Sequence, residues 1–386
     1  MLYGGVGLLL VIVAGVIAFG YWNAVIRPRY RTVLEANGIK ISYDAMRRRM
    51  GYEYQQSTQY QQTPTALPEG TYSTLLNEIT LVTRAEKDLG VTLTDAEYQQ
   101  QLRARIGVAA NADNRAFADA LKKQLDSSGL TETEYRRMVR AAALQSKIIQ
   151  KFTAELPAKV MQAKFDVILT ATQDDANKAL ARVKAGEDWG GVAKQVSKES
   201  TATTTGGLHD YTPVDLIDPT YQSFVSTAKP GDISQVLASS GSTPQYFIIR
   251  LLDRSEQPVK DTDKSSLADK KFSDWLSSTE QTMTVFRDWN TQAQSDALVW
   301  VGNNIAPKVQ AQKVAQQATQ VAATNAAATA RALLPTPGTA TAATAVATPG
   351  TAAAKPSPAA TATAAATSGG SSPSVPNQPV APGNGQ

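Results

Sequence analysis

The sequence predicts an α+β fold: a helical domain split around an inserted α/β domain, with one transmembrane helix before it and a disordered tail behind it. Three observations predict this. Helical periodicity with capping signals fills much of residues 33–156 and resumes over 265–305. Between them, residues 158–256 switch to short apolar runs alternating with short helical segments. An uncharged run at 3–22 opens the chain, and a small-residue stretch at 307–386 closes it.

The opening run, Tyr3–Trp22, has the length of about 20 residues needed to cross a bilayer as a helix. Tyr21 and Trp22 sit at its end, where interfacial aromatics gather. A cleaved signal peptide fits less well, because the run is long and no small-x-small site follows it. Arg27, Arg29 and Arg31 come after the span and nothing basic precedes it. The positive-inside rule alone then places the bulk of the chain in the cytoplasm.

Residues 33–42 read as a hairpin, with Asn37-Gly38 as the two-residue turn and Ser42 poised to cap the next helix. Leu75, Ile79, Val82 and Leu89 recur at helical spacing, and Gly90 supplies a stop. Thr94–Glu97 and Thr131–Glu134 are capping boxes that open two further helices. A Gln/Thr/Pro segment near 56–68 reads as mobile, and Pro157 closes the helical region. Beyond it, 165–170, 233–237 and 246–253 read as strands, and 174–185 and 189–196 as helices. The region 265–305 carries Leu267, Phe272, Trp275, Trp289 and Trp300, large apolar groups that need a partner surface. The first helical region is the natural one. From Pro307 onward the chain has too few large apolar groups to offset chain entropy and is expected to be disordered.

Composition narrows the function classes. The net charge of +4 matches the tail, whose Lys308, Lys313, Arg331 and Lys355 face no acid; the rest is balanced and carries no electrostatic footprint for nucleic acid. There are no cysteines and one histidine, His209. Disulfides, thiolate metal sites and multi-histidine metal sites are therefore excluded, and no cofactor is expected.

Several fragments carry a family resemblance by their order and spacing. They are 164–170 (KFDVILT), 185–189 (AGEDW), 192–197 (VAKQVS), Gly206-Gly207-Leu208, 229–234 (KPGDIS) and 246–254 (YFIIRLLDR). Together, 163–254 resembles a parvulin-type (PpiC-like) peptidyl-prolyl isomerase, or rotamase, domain. The hairpin, the helices and the Trp-containing C-terminal region resemble the split chaperone domain of SurA- and PrsA-type extracytoplasmic foldases. The resemblance implies unfolded or secreted polypeptide clients and a bulk outside the cytoplasm, against the arginine pattern.

Isomerising an X–Pro bond means lowering a rotation barrier of about 18–20 kcal/mol. Parvulins resemble one another in two buried histidines, a nearby Cys or Asp, and an apolar proline pocket. Carried over by position, the histidines fall on Val167 and Phe247, and the Cys or Asp falls on Glu199, the one catalytic candidate. Leu208, Tyr211, Leu216, Tyr221 and Phe247 fall at or near the substrate pocket. His209 reads as a solvent-facing loop residue, Trp189 as core, and Arg47, Arg48 and Arg49 as a solvated helix face. The resemblance leaves the enzyme question open. The expected function is a membrane-anchored foldase with a degenerate site. The alternatives are a working isomerase using Glu199 and Tyr211, or a non-catalytic envelope scaffold.

Overall fold

The computed structural model describes residues 13–16, 19–20, 22, 27–57, 65–240 and 243–332. The chain divides into two compact units, Met1–Val321 and Ala322–Gln386.

The first unit opens with β1 (Thr32–Ala36) and β2 (Ile39–Ser42). Asn37 and Gly38 between them have φ of 47° and 80°, the left-handed pair that a two-residue hairpin demands. The Ser42 hydroxyl accepts from the Ala45 amide at 3.2 Å and starts α1 (Tyr43–Gln56). Helix α2 (Leu67–Leu89) ends on Gly90 at φ 64°. Helix α3 (Asp95–Arg105), α4 (Asn114–Ser128) and α5 (Glu132–Ala154) follow, with both capping boxes formed, Thr94–Glu97 and Thr131–Glu134.

The inserted domain is a sheet of β3 (Lys159–Thr170), β4 (Leu208–Pro213), β5 (Leu237–Ala238) and β6 (Tyr246–Pro258). Its order is β4-β3-β6-β5, antiparallel throughout. Between β3 and β4 come α6 (Gln173–Lys184), α7 (Trp189–Val196) and the single turn α8 (Ala202–Thr205); α9 (Pro219–Val225) follows β4. Period-two alternation gives the sheet two apolar faces. Ile168 and Ile248 pack with Trp189 and Val192 on one. Phe165, Val167, Phe247 and Ile249 pack with Ile217 and Val225 on the other.

The chain then returns to its beginning. Helix α10 (Asp261–Thr282) lays Ala268 and Phe272 against Leu144, Ile148 and Phe152 of α5. Strand β7 (Val285–Arg287) pairs with β1 and completes a sheet of order β2-β1-β7. Helix α11 (Thr291–Asn304) sets Ala293, Ala297 and Val301 into the core of the hairpin, α1 and α2. Large apolar groups on 265–305 thus meet the surface that the first helices leave bare.

Several expectations need correction. The span over Tyr3–Trp22 falls mostly outside the described residues; among those described, no helix is long and apolar enough to cross a membrane. Residues 58–64 of the Gln/Thr/Pro segment also lie outside them, and α2 begins at Leu67, inside the range read as mobile. The helical region 265–305 is interrupted by β7, because Val285 and Phe286 find the open edge of β1. At 233–237 only a bridge from Ile233 to Arg250 and the two residues of β5 form, since the Ser234 hydroxyl takes the Ile249 amide that a ladder would use. The tail does not lose structure at 307. Helix α12 (Ala306–Ala332) runs through it, because Ala, Gln and Lys favour helix without burial and Val309 is tied to the core. Residues 333–386 lie outside the described set.

The arginine run is no solvated face. The Arg47 guanidinium lies 4.7 Å from the Trp300 ring centroid. Arg48 reaches Glu134 of α5 at 2.7 Å and also Asp44. Arg49 is buried, with Nη2 2.6 Å from Glu78 and Nε 2.9 Å from Glu53. Asp44 and Glu53 lie on α1 itself at helical spacing, whereas Glu78 and Glu134 are brought in only by the packing of α2 and α5.

Glu280, on α10, is a packed carboxyl held well above its ordinary range. Burial raises it from 4.5 to about 7, against a hydrogen bond from Thr80 of α2. A carboxyl that holds its proton more tightly when folded contributes stability that is full below 4.5 and is lost as pH rises through about 7. Thermal unfolding followed by circular dichroism should show a higher Tm at pH 5 than at pH 8. Glu280→Gln is expected to shrink that difference; a variant with the wild-type difference would count against it.

Candidate functional site

A pair of glycines organises the site. Gly206 and Gly207 have φ of 66° and 81°, and a Cβ on Gly207 would sit 2.2 Å from the Val167 carbonyl oxygen. Only glycine permits this approach. It lets the Gly207 carbonyl accept from the Val167 amide at 2.8 Å and brings β4 onto β3. In that register His209 lies opposite Phe165, and the two rings stack with centroids 4.7 Å apart and planes 4° from parallel.

Asp218 caps α9 through the Thr220 amide and Pro219 opens it, which sets Tyr221 over the sheet. The Tyr221 ring meets Phe247 edge-on at 5.2 Å and His209 edge-on at 6.3 Å, and tilts against Phe165 at 6.2 Å. Beneath them Val167 and Phe247 are 0% and 1% exposed. The result is an aromatic cup with an apolar floor.

One polar pair edges the cup. His209 Nε2 lies 2.7 Å from Glu199 Oε1, and the second carboxylate oxygen, Oε2, is buried without a hydrogen-bond partner. Glu199 is within electrostatic reach of Tyr221, whose hydroxyl is raised by burial first and then by Glu199 and Asp218. A carboxylate–imidazole pair beside an apolar cup can orient a polar backbone group while the cup holds a ring such as proline. Among the described residues, no group of three or more His, Cys, Asp or Glu side chains could hold a metal ion.

Of the residues expected here, the fold brings Glu199, Tyr221 and Phe247 together. Leu208 pairs with Asp166, whose carboxylate binds Arg250, and Arg250 lies over Trp189. The register therefore puts Leu208 on the opposite face of the sheet. Tyr211 directs its hydroxyl to Asp253 at 2.7 Å, in a polar row with Ser255, so it is a strand cross-tie. Leu216 is half-buried in the 3-10 turn Val214–Leu216, where Val214 and the following Ile217 pack into the cluster below the cup.

Two members were not assigned from sequence. Phe165 precedes Val167 by two residues, a spacing that already puts both on one face of a strand. The sequence reads His209 as a solvent-facing loop residue. It is instead a strand residue with one ring face covered by Phe165, because Gly-Gly-Leu-His continues into β4 rather than turning away.

Comparison with known proteins agrees with this architecture. The description "SurA-like N-terminal domain" matches residues 4–149, and "PPIC-type PPIASE domain" matches residues 137–255. The chain joins a SurA-like N-terminal domain to a PPIC-type peptidyl-prolyl isomerase domain. The foldase protein PrsA of Clostridium acetobutylicum is 25% identical over 242 residues, covering 54% of this chain and 67% of that protein. PrsA of Clostridium botulinum strain Hall is 25% identical over 236 residues, covering 55% and 68%. Among solved structures, PrsA of Bacillus anthracis aligns with a TM-score of 0.34 at 16% identity, covering 60% of this chain and 94% of that one. The PPIC-type domain holds the cup, and the SurA-like domain with α10 and α11 makes the remaining body of the first unit.

Proposed function

We propose that this chain is a membrane-anchored, extracytoplasmic foldase that holds unfolded polypeptides, with a PPIC-type groove in which isomerase chemistry is strongly weakened. Residues 33–156 with 265–305 form its holding domain, 158–256 its groove, and 3–22 its anchor. The foldase reading is supported by the two matched domains and by the PrsA relatives. One observation carries the weakening: Val167 and Phe247, where parvulins resemble one another in histidine, are buried apolar side chains flooring the cup. Removing a positioned polar pair from a proton-transfer or electrostatic site typically costs about 10²–10⁴-fold in rate.

A protease-coupled assay on prolyl tetrapeptides, run with the full chain, tests this. The expected kcat/KM lies at least about 100-fold below that of a parvulin with both histidines. In parallel the chain should suppress aggregation of a chemically unfolded client. Ordinary turnover that disappears in Glu199→Ala would overturn the weakened-site reading in favour of a rearranged isomerase, which the Glu199–His209 pair favours. Loss of holding activity as well would leave a scaffold. Protease accessibility of residues 307–386 in intact cells tests the orientation; protection would reverse it.

A further inference from the structure

We infer that the groove selects proline segments flanked by lysine or arginine, an inference that rests on the reading of the cup as a peptide site. The wall of the cup is built from one continuous stretch, the α8 turn, β4, the 3-10 turn and α9. From residue 199 to residue 228 that stretch holds Glu199, Asp210, Asp215 and Asp218 and not one lysine or arginine. Lys198 and Lys229 merely bracket it.

The cations that strand pairing or contact sets against this stretch are committed. Lys164 pairs with Asp210 at 3.6 Å, and its ammonium lies 5.7 Å from the Tyr211 ring centroid. Lys260 donates to the Tyr211 carbonyl, and Arg254 donates to the Val225 carbonyl. Arg250 binds Asp166 on the far face of the sheet. What remains at the cup is Glu199, whose Oε1 meets His209 while its Oε2 meets no donor, with Asp215 and the helix-capping Asp218 on the exposed rim.

Two physical effects follow. A carboxylate that lacks donors on one oxygen and sits against low-polarity rings keeps more of its field than one ringed by water or amides. The half-buried Tyr221 ring also suits the approaching group, since it offers aromatic surface to an arginine or lysine stem beside the proline. An acidic neighbour of proline would instead meet like charge.

Fluorescence polarisation with the full chain decides the matter. Labelled peptides differing only in the residue before proline, Arg, Ala or Glu, are titrated at low salt and at 0.5 M salt. The expected order of affinity is Arg over Ala over Glu, spanning about tenfold at low salt and collapsing at high salt, where the screening length is only a few ångströms. Glu199→Gln should narrow the span severalfold. Asp215→Asn, on the exposed rim, should narrow it less and serves if the first variant folds poorly. Equal affinities, or a span untouched by salt, would overturn the preference while leaving the peptide site standing. Failure of every peptide to bind would overturn the peptide-site reading itself.

Discussion

Replacing Trp289 by alanine is expected to remove about 3–5 kcal/mol of stability, the range for truncating a large buried aromatic. Trp289 is 2% exposed, and its indole Nε1 donates to the Pro68 carbonyl at 3.1 Å. Its ring lies 6.1 Å from Tyr43, and its neighbours in the core include residues of β1, α1 and α2. A single side chain from the far end of the chain thus closes the core of the first 90 residues or so. Trp289→Ala leaves a cavity and also strips a carbonyl of its donor, a second loss of about 1–3 kcal/mol where no water replaces it. Urea unfolding of the full chain measures the change, and Trp289→Phe should recover part of the packing but not the hydrogen bond. A loss below about 1 kcal/mol for the alanine variant would mean that the C-terminal segment does not close this core.

Arg49→Ala should cost a similar amount, about 3–5 kcal/mol, for an electrostatic reason. Arg49 and Glu78 are 7% and 5% exposed and lie 2.6 Å apart, bridging α1 and α2. Burial raises the Glu78 carboxyl, against Arg49 and then Arg137. Without Arg49 the carboxyl keeps only Arg137 at 3.6 Å, and Glu53 also loses its partner, keeping its bond from Thr71. An uncompensated buried charge is far worse than no charge, so Arg49→Met with Glu78→Leu should recover much of the loss. Equal stability of wild type and Arg49→Ala in urea would show that water already reaches the pair.

The two experiments probe features of different legibility. The hairpin, the two capping boxes and the helix stop at Gly90 each depend on a few adjacent residues, and all could be read from sequence. The apolar character of 265–305 was legible too, because tryptophans and phenylalanines at helical spacing demand a partner. That Trp289 would reach Pro68, more than two hundred residues away, was not. Strand β7 and the arginine run failed to read correctly for the same reason. Three residues of strand exist only because β1 has a free edge, and Arg49 is buried against Glu78 only because α2 packs on α1.

At the candidate site the division is similar. Correspondence of motifs pointed to Glu199, Tyr221 and Phe247, which the fold brings near one another. It could not tell which face of β4 each residue takes, so Leu208 and Tyr211 were grouped with a cup they do not line. Alternation along a strand is local, but its phase is set by the Gly207–Val167 contact and the pairing of Phe165 with His209.

By itself, then, the sequence determined the order of elements and the split of a helical domain around an α/β insert. These follow from hydrophobic period, capping chemistry and the residues present. Only the tertiary structure decided that β7 joins β1, that Arg49 is buried, and that His209 sits against Phe165 with Glu199 at its edge. Those outcomes depend on which groups the folded chain brings within a few ångströms, and nothing about a residue's neighbours in sequence records that.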